Sequence, residues 1–281
     1  MGQGDIAEAA DRLRDAGCAP SDCCWLDADK AADLFFGADP VAARAALAGV
    51  GAGIDIIVQA TETREKTLLI ADMDSTMITV ECIDELADYA GIKPQIAEIT
   101  ERAMRGELDF AGALHERVAL LKGLEDAAID LCRAERVVIM DGARALVRTM
   151  KARGARTLLV SGGFTRFTGP VAEEIGFDAA VANVLEIADG ALLGTVTTPI
   201  VDAARKRAEL EAAIAGGIDR ALTLAVGDGA NDIPMIQGAG LGVAYHAKPK
   251  TREAAAAEII HGDLSVLLYA QGIASAQWVL G

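Results

Sequence analysis

The sequence lacks any uncharged apolar run approaching the roughly 18 residues that a membrane-spanning helix needs. Its 52% hydrophobic content is therefore read as a buried core, inflated by alanine and glycine. It also lacks paired cysteine spacing. Cys18, Cys23, Cys24, Cys82 and Cys132 are odd in number, match no zinc pattern and read as reduced thiols. The three histidines, His115, His246 and His261, add no metal-ligand spacing, which argues further against zinc. Positive charge is scarce: 26 Lys and Arg face 42 Asp and Glu, a formal net charge of -16. Such a field repels nucleic acid and anionic lipid, so any phosphate must be held by a local positive site, which argues for a small-molecule ligand. The opening residues, MGQGDIAEAADRLRD, carry acids early and no apolar core, unlike a secretory signal. The expectation is a cytoplasmic protein with neither nucleic-acid nor membrane partners.

What is present is organised around Lys66 to Glu81, KTLLIADMDSTMITVE. Residues 67 to 71 are apolar and β-prone, the pattern of a strand buried on both faces in a parallel sheet. Asp72 and Asp74 follow at its carboxyl end, the edge at which open α/β sheets bind ligands. On its own this is equally a strand followed by an acidic turn.

Ahead of it, residues 5 to 16 predict a helix, 22 to 27 a strand, 39 to 49 a helix and 53 to 59 a strand, a small α/β unit over 1–65 ending in a polar linker at 61 to 66. Behind it, residues 81 to 91, 94 to 104, 109 to 122 and 125 to 134 all have helical periodicity with Gly or Pro at the breaks. No strand interrupts them, so 79–135 reads as a helical cap inserted into a core made of 66–78 and 136–281. Strands then alternate with helices at 155 to 160, 179 to 182, 221 to 226 and 241 to 244. That rhythm predicts an α/β fold with a doubly wound parallel sheet. Residues 184 to 198, with an Asp-Gly turn between apolar runs, predict a β-hairpin appended to the sheet.

All carboxyl ends of such a sheet open into one crevice. TLLVSGG delivers Ser161, Gly162 and Gly163, a hydroxyl and approachable N–H groups suited to a phosphate oxygen. TLAVGDGAND delivers Asp228, Asn231 and Asp232 to the crevice already holding Asp72 and Asp74. So many carboxylates repel one another, and a hard divalent cation such as magnesium would relieve them. The positive charge for a phosphate lies on VDAARKRAEL, where Arg205, Lys206 and Arg207 compete and spacing alone does not choose.

DMDST, SGG, the intervening lysine and GDGAND together resemble the motifs of the haloacid dehalogenase superfamily. With ECIDELAD, LDFAGALHERVALLKGL, SGGFT and YHAKPK, the chain from about Lys66 onward is similar to the phosphoserine phosphatases of the bacterial biosynthetic type. The resemblance implies a magnesium-dependent hydrolase of phosphoserine acting in serine synthesis. Asp72 would be the nucleophile and Asp74 the acid/base. Asp72, the Asp74 main-chain carbonyl and Asp228 would hold magnesium, oriented by Asn231 and Asp232. Ser161, Gly162 and, by its offset, Lys206 would bind the phosphoryl oxygens. In the cap, Glu81 would meet the substrate ammonium and Arg117 its carboxylate, with Met104 and Phe110 excluding water. Phosphothreonine or phosphohomoserine as substrate, and a non-catalytic amino-acid sensor, are the rival readings, the second disfavoured by the intact Asp72, Asp74, Lys206 and Asp228. The N-terminal unit resembles a shortened regulatory domain that packs or forms a homodimer.

Overall fold

The structure, a computed structural model, describes residues 2–280, and for Met104 the main chain only. The N-terminal unit pairs β1 (Pro20–Asp27) with β2 (Ala31–Phe36) in an antiparallel hairpin. Asp29 turns it at φ 60°, a left-handed conformation that aspartate tolerates. Helices Gln3–Asp15 and Pro40–Leu47 bury Leu13, Ala43 and Leu47 with Cys18, Val50 and Val58 as a separate small core. Two expectations need correction here. β2 is a strand that the sequence pattern does not announce, and residues 53 to 59, expected as a strand, start in a turn at Gly53 and join no sheet. Alternating apolar residues supply a face, whereas a ladder also needs a partner strand. The segment is held through side chains instead. Asp55 Oδ1 accepts from the Ile260 N–H at 2.7 Å, Asp55 Oδ2 accepts from the Gly262 N–H at 2.7 Å, and Gln59 Nε2 donates to the Ala270 carbonyl at 2.6 Å.

The main sheet uses β3 (Leu68–Ala71), β4 (Arg156–Phe164) and β5 (Ala179–Asn183). A hairpin follows, β6 (Leu185–Ala188) and β7 (Ala191–Val196), and then β8 (Thr223–Gly227), β9 (Leu241–Tyr245) and β10 (Ala257–Ile259). The six sheet strands are all parallel, in the order β10-β9-β8-β3-β4-β5. β3 is therefore central, and its four residues are all buried, which is why it reads as an unbroken apolar run. β10 is an additional edge strand that the sequence does not predict. The hairpin forms where predicted but makes its own two-stranded sheet. It bonds to the cap loop: Gly123 N–H donates to Leu192 O at 2.8 Å and Leu192 N–H to Leu124 O at 2.9 Å.

Four helices, Cys82–Tyr89, Lys93–Met104, Phe110–Ala119 and Ala127–Arg136, fill the interval between β3 and the helix Ala143–Ala152 that leads into β4. The chain leaves and re-enters the core through adjacent stretches. Ile78 bridges Ile139, Thr79 N–H donates to Val138 O at 3.0 Å, and Met140 N–H to Met77 O at 2.9 Å. Leu86, Leu114, Val118 and Ile129 belong to the same buried cluster as Leu146 and Phe167 of the core.

Candidate active site

Asp72 continues β3 by one residue, its N–H donating to Val226 O at 3.0 Å, and the residue is 5% exposed. The turn that follows is tight. Met77 N–H and Ile78 N–H both donate to Met73 O, and Ser75 sits at φ 54°. This turn sends Asp74 away from Asp72. Asp74 Oδ1 accepts from the Cys82 N–H at 3.5 Å, at the start of the first cap helix, and a Cβ on Gly163 would lie 3.1 Å from Asp74 Oδ2.

Of the three competing cations, the structure turns one inward. Lys206 is fully buried, with Nζ 2.6 Å from Asp72 Oδ1 and 2.7 Å from Asp232 Oδ1. Arg205 pairs with Glu209 at 2.6 Å, and Arg207 with Glu211 and the Pro234 carbonyl. Both recorded contacts of Asp72, from Lys206 Nζ and from the Met73 N–H at 2.7 Å, fall on Oδ1. Oδ2 accepts no hydrogen bond among the described residues.

Asp232 is held on both sides, by Lys206 at Oδ1 and by the Gly229 N–H at 3.0 Å on Oδ2. Gly227 permits this approach, since a Cβ there would lie 2.4 Å from Asp232 Cγ. Asp228 is fixed by the Thr76 hydroxyl, which donates to Oδ1 at 3.1 Å. One oxygen from each of Asp72, Asp228 and Asp232 lies within 4.8 Å of the others. An all-oxygen, anionic set of this kind fits a hard divalent cation better than zinc. Asp232, expected only to orient this shell, is thus within the group itself. The Asp74 side chain is not part of that group, so only its main-chain carbonyl is left to serve as a ligand.

Electrostatics follow from this crowding. Burial first, and then Asp232, push the Asp72 carboxyl well above its ordinary value, against the pull of Lys206. Burial and then Glu81 raise Asp74 to about 7, and burial, Asp232 and Glu81 raise Asp228 to about 6. Burial alone would lower Lys206, but Asp232 and Asp72 outweigh it and hold the amine above its usual value. A carboxyl near 7 is poised to give and take a proton at neutral pH.

The end of β4, which runs on through Ser161–Gly163 beyond the expected end at residue 160 with an irregular register, completes the floor. Ser161 is 1% exposed and its Oγ accepts from the Gly163 N–H at 2.8 Å, which leaves its own hydrogen to donate. Phe110 reaches down from the cap, its Cζ 3.0 Å from where a Gly162 Cβ would stand. Asn231 is half-buried beside Gly229. Glu81 accepts from the Ser75 hydroxyl at 2.8 Å. Arg117 is half-buried with Nε donating to Ala113 O at 3.2 Å; burial lowers it and Asp84, Glu81 and Asp74 oppose that. Among the described residues no ion pair joins Glu81 to Arg117. The expectation for the Met104 side chain lies outside the described residues. One residue was missed. Asn183, 2% exposed at the end of β5, donates from Nδ2 to Gly162 O at 2.8 Å and accepts at Oδ1 from the Val201 N–H at 2.7 Å. It ties the end of β4, at Ser161 and Gly162, to the segment that leads into the Lys206 helix. A polar residue closing an apolar strand at the functional edge was its only signal.

Residues 69–237 match the haloacid dehalogenase-like hydrolase family. A phosphoserine phosphatase of Streptomyces coelicolor is 47% identical over 80% of this chain and 55% of its own. The chain thus spans little more than half the length of that relative. A phosphoserine phosphatase of Polaromonas is 48% identical over 72% of this chain and 88% of its own. A solved phospho-aspartyl intermediate analogue of phosphoserine phosphatase superposes with a TM-score of 0.67 at 39% identity, over 73% of this chain and 98% of that one.

Proposed function

The chain belongs to the haloacid dehalogenase-like hydrolases, and from that premise we propose that it hydrolyses O-phospho-L-serine to L-serine and phosphate through an aspartyl-phosphate, with magnesium as cofactor. The observation that carries the reading is the division of labour at the end of β3. Lys206 and the Met73 N–H occupy one oxygen of Asp72 and leave the other free, while Asp74 stands apart with a carboxyl near 7.

Asp72 Oδ2 attacks phosphorus, and the bond from phosphorus to the serine oxygen breaks as the new one forms. Protonated Asp74 gives its proton to that leaving oxygen. In the second half, Asp74 as carboxylate takes a proton from water, whose oxygen attacks phosphorus and releases phosphate from Asp72. Lys206, the Ser161 hydroxyl and the Gly162 N–H stabilise the equatorial oxygens while charge spreads over them. Asp72, Asp228 and the Asp74 carbonyl, with Asn231 and Asp232 beside them, would hold magnesium, which when bound would neutralise charge between phosphate and nucleophile. The cap, 79–135, contributes selectivity through Glu81 for the ammonium and Arg117 for the carboxylate, with Phe110 shielding the reacting bond.

The relatives named for phosphoserine support that substrate over phosphothreonine or phosphohomoserine. A methyl group alone is worth only about 1 to 3 kcal/mol of discrimination. The test is phosphate release across this panel, with and without chelator. Phosphoserine should give the highest kcat/KM, chelator should remove the activity, and Asp72→Asn should abolish it in protein that still unfolds cooperatively. Activity surviving in Asp72→Asn would overturn the mechanism. No helix of the described residues is long and apolar enough to cross a membrane. A cytoplasmic location and a homodimer complete the proposal, and fractionation and sedimentation test them.

A further inference from the structure

Ser75 stands in the left-handed region at φ 54°, in the turn that carries Asp72 and Asp74. Glycine or asparagine suits that backbone better, and a strained residue in a functional turn points to a use for its side chain. The main chain of the turn is held without that side chain. The Thr76, Met77 and Ile78 N–H groups all donate to Met73 O, and the Ser75 N–H donates to Val80 O at 3.3 Å. A serine hydroxyl in a turn ordinarily bonds its own neighbouring main chain. Here it donates to Glu81 Oε1 at 2.8 Å, across the step from core to cap.

Glu81 is otherwise fixed only through its main chain. It is the N-cap of the helix Cys82–Tyr89, and its carbonyl accepts from the Asp84 and Glu85 N–H groups at 3.0 and 3.1 Å. The preceding Val80 is tied to Ser75, and the following Cys82 N–H to Asp74 Oδ1. A polar N-cap side chain commonly accepts from N–H groups of its own helix, but that of Glu81 makes no such bond. The Ser75 hydroxyl is its one recorded partner among the described residues, and its charge helps to raise both Asp74 and Asp228. The carboxylate is thus turned toward the crevice instead of onto the helix end. An exposed glutamate has many rotamers to lose, so one already aimed binds a cation at a lower entropic cost. We propose, on the reading that Glu81 meets the substrate ammonium, that Ser75 is a positioning residue for substrate selection, its hydroxyl holding the Glu81 carboxylate at the crevice mouth as a preformed acceptor. Oε2 and the second lone pair of Oε1 remain for the ammonium.

The test compares phosphoserine with 3-phosphooxypropanoate, which keeps the phosphate and the carboxylate and lacks the ammonium. Ser75→Ala should raise KM for phosphoserine about fivefold or more, as loss of one hydrogen bond to a charged group implies. Its kcat should change less than about twofold, because a displaced turn would move Asp72 and Asp74 and reach kcat, whereas a loosened Glu81 reaches binding. The loss in kcat/KM on phosphoserine should exceed that on 3-phosphooxypropanoate by about fivefold or more. Ser75→Gly removes the same hydroxyl and relieves the left-handed backbone, so it should melt close to the parent and show the same selective loss, which decides the matter if the alanine variant does not fold. In a Glu81→Ala background, Ser75→Ala should cost less than about twofold, since its effect runs through that carboxylate. A fall in kcat on both esters in the Ser75 variants, or a full further loss on top of Glu81→Ala, would make the hydroxyl a support of the turn and overturn the proposal. Selective loss in Glu81→Ala but in neither Ser75 variant would overturn the proposal alone. Glu81→Ala without selective loss on phosphoserine would overturn the ammonium reading and the proposal together.

Discussion

The core crevice and the cap hold their polar groups in opposite ways. In the crevice, Lys206 and Asp232 are fully buried and every contact is made within the protein. In the cap, Glu81 is exposed with one hydroxyl partner, and Arg117 has a single carbonyl on Nε. The difference separates groups placed for reaction from groups whose remaining partners a ligand would supply. Preorganised charge costs stability unless it is complete, whereas a group awaiting substrate costs little when removed. Lys206→Met is the harshest way to break that contrast. It leaves Asp72 and Asp232 buried as like charges, and the expected loss is about 3 to 5 kcal/mol of unfolding free energy. Urea denaturation measures it, and phosphatase activity should be lost with it. A stability loss under about 1 kcal/mol would show that the crevice is more solvated than its burial implies.

The carboxylate cluster gives the next largest effect, and it is pH-dependent. Asp74, Asp228 and Asp72 are all raised in the folded protein. Their neutral forms therefore favour folding below the ordinary carboxyl range near 4, and this contribution is lost as pH rises through about 6 to 7. In chelator, stability should fall by about 1 to 3 kcal/mol between pH 5 and 7.5, and magnesium should flatten the fall by favouring the charged forms. Asp74→Asn should also reduce the slope in chelator. A slope unchanged in that variant would assign it to the general repulsion of a chain carrying -16 rather than to this site.

How legible the molecule was in its sequence follows the same division between local and assembled features. β3 and its aspartates were readable because burial on both faces and a following turn are local properties of residues 67 to 75. The cap was readable from an absence, the missing strands between Glu81 and Arg136. Lys206 was not readable from its neighbours. Three consecutive basic residues on an alanine-rich helix show no clear inner face, and only packing against Asp72 and Asp232 selects one. Asn183 was invisible for a related reason, since an Asn after apolar residues looks like any turn, and its importance lies in partners 18 and 21 residues away. Residues 53 to 59 misled in the other direction, because alternation names a face and the ladder depends on a neighbour.

Asn183→Ala tests an intermediate case, a crevice residue that touches no reacting atom. It leaves Gly162 O and the Val201 N–H without their buried partner, which should cost about 1 to 3 kcal/mol. Thermal unfolding with and without inorganic phosphate measures this. If Asn183 positions the end of β4 for phosphate, the stabilisation by phosphate should shrink as well. Stabilisation equal to that of the parent would reduce the residue to a core support.

The smallest change in stability belongs to the cap, and it sharpens the contrast most. Arg117→Ala removes a half-buried guanidinium that makes one main-chain hydrogen bond, so unfolding free energy should move by about 0.5 to 1 kcal/mol. If the guanidinium meets the substrate carboxylate, KM for phosphoserine should rise about tenfold or more, equivalent to about 1.4 kcal/mol or more. Phosphoethanolamine, which has the ammonium but no carboxylate, should be handled equally by parent and variant. Glu81→Gln gives the reciprocal case, weakening phosphoserine and phosphoethanolamine alike because both carry the ammonium. A parallel loss on both substrates in Arg117→Ala would show that the arginine holds the cap closed instead of reading the carboxylate, and selectivity would then have to be sought at Phe110 and the loop it covers.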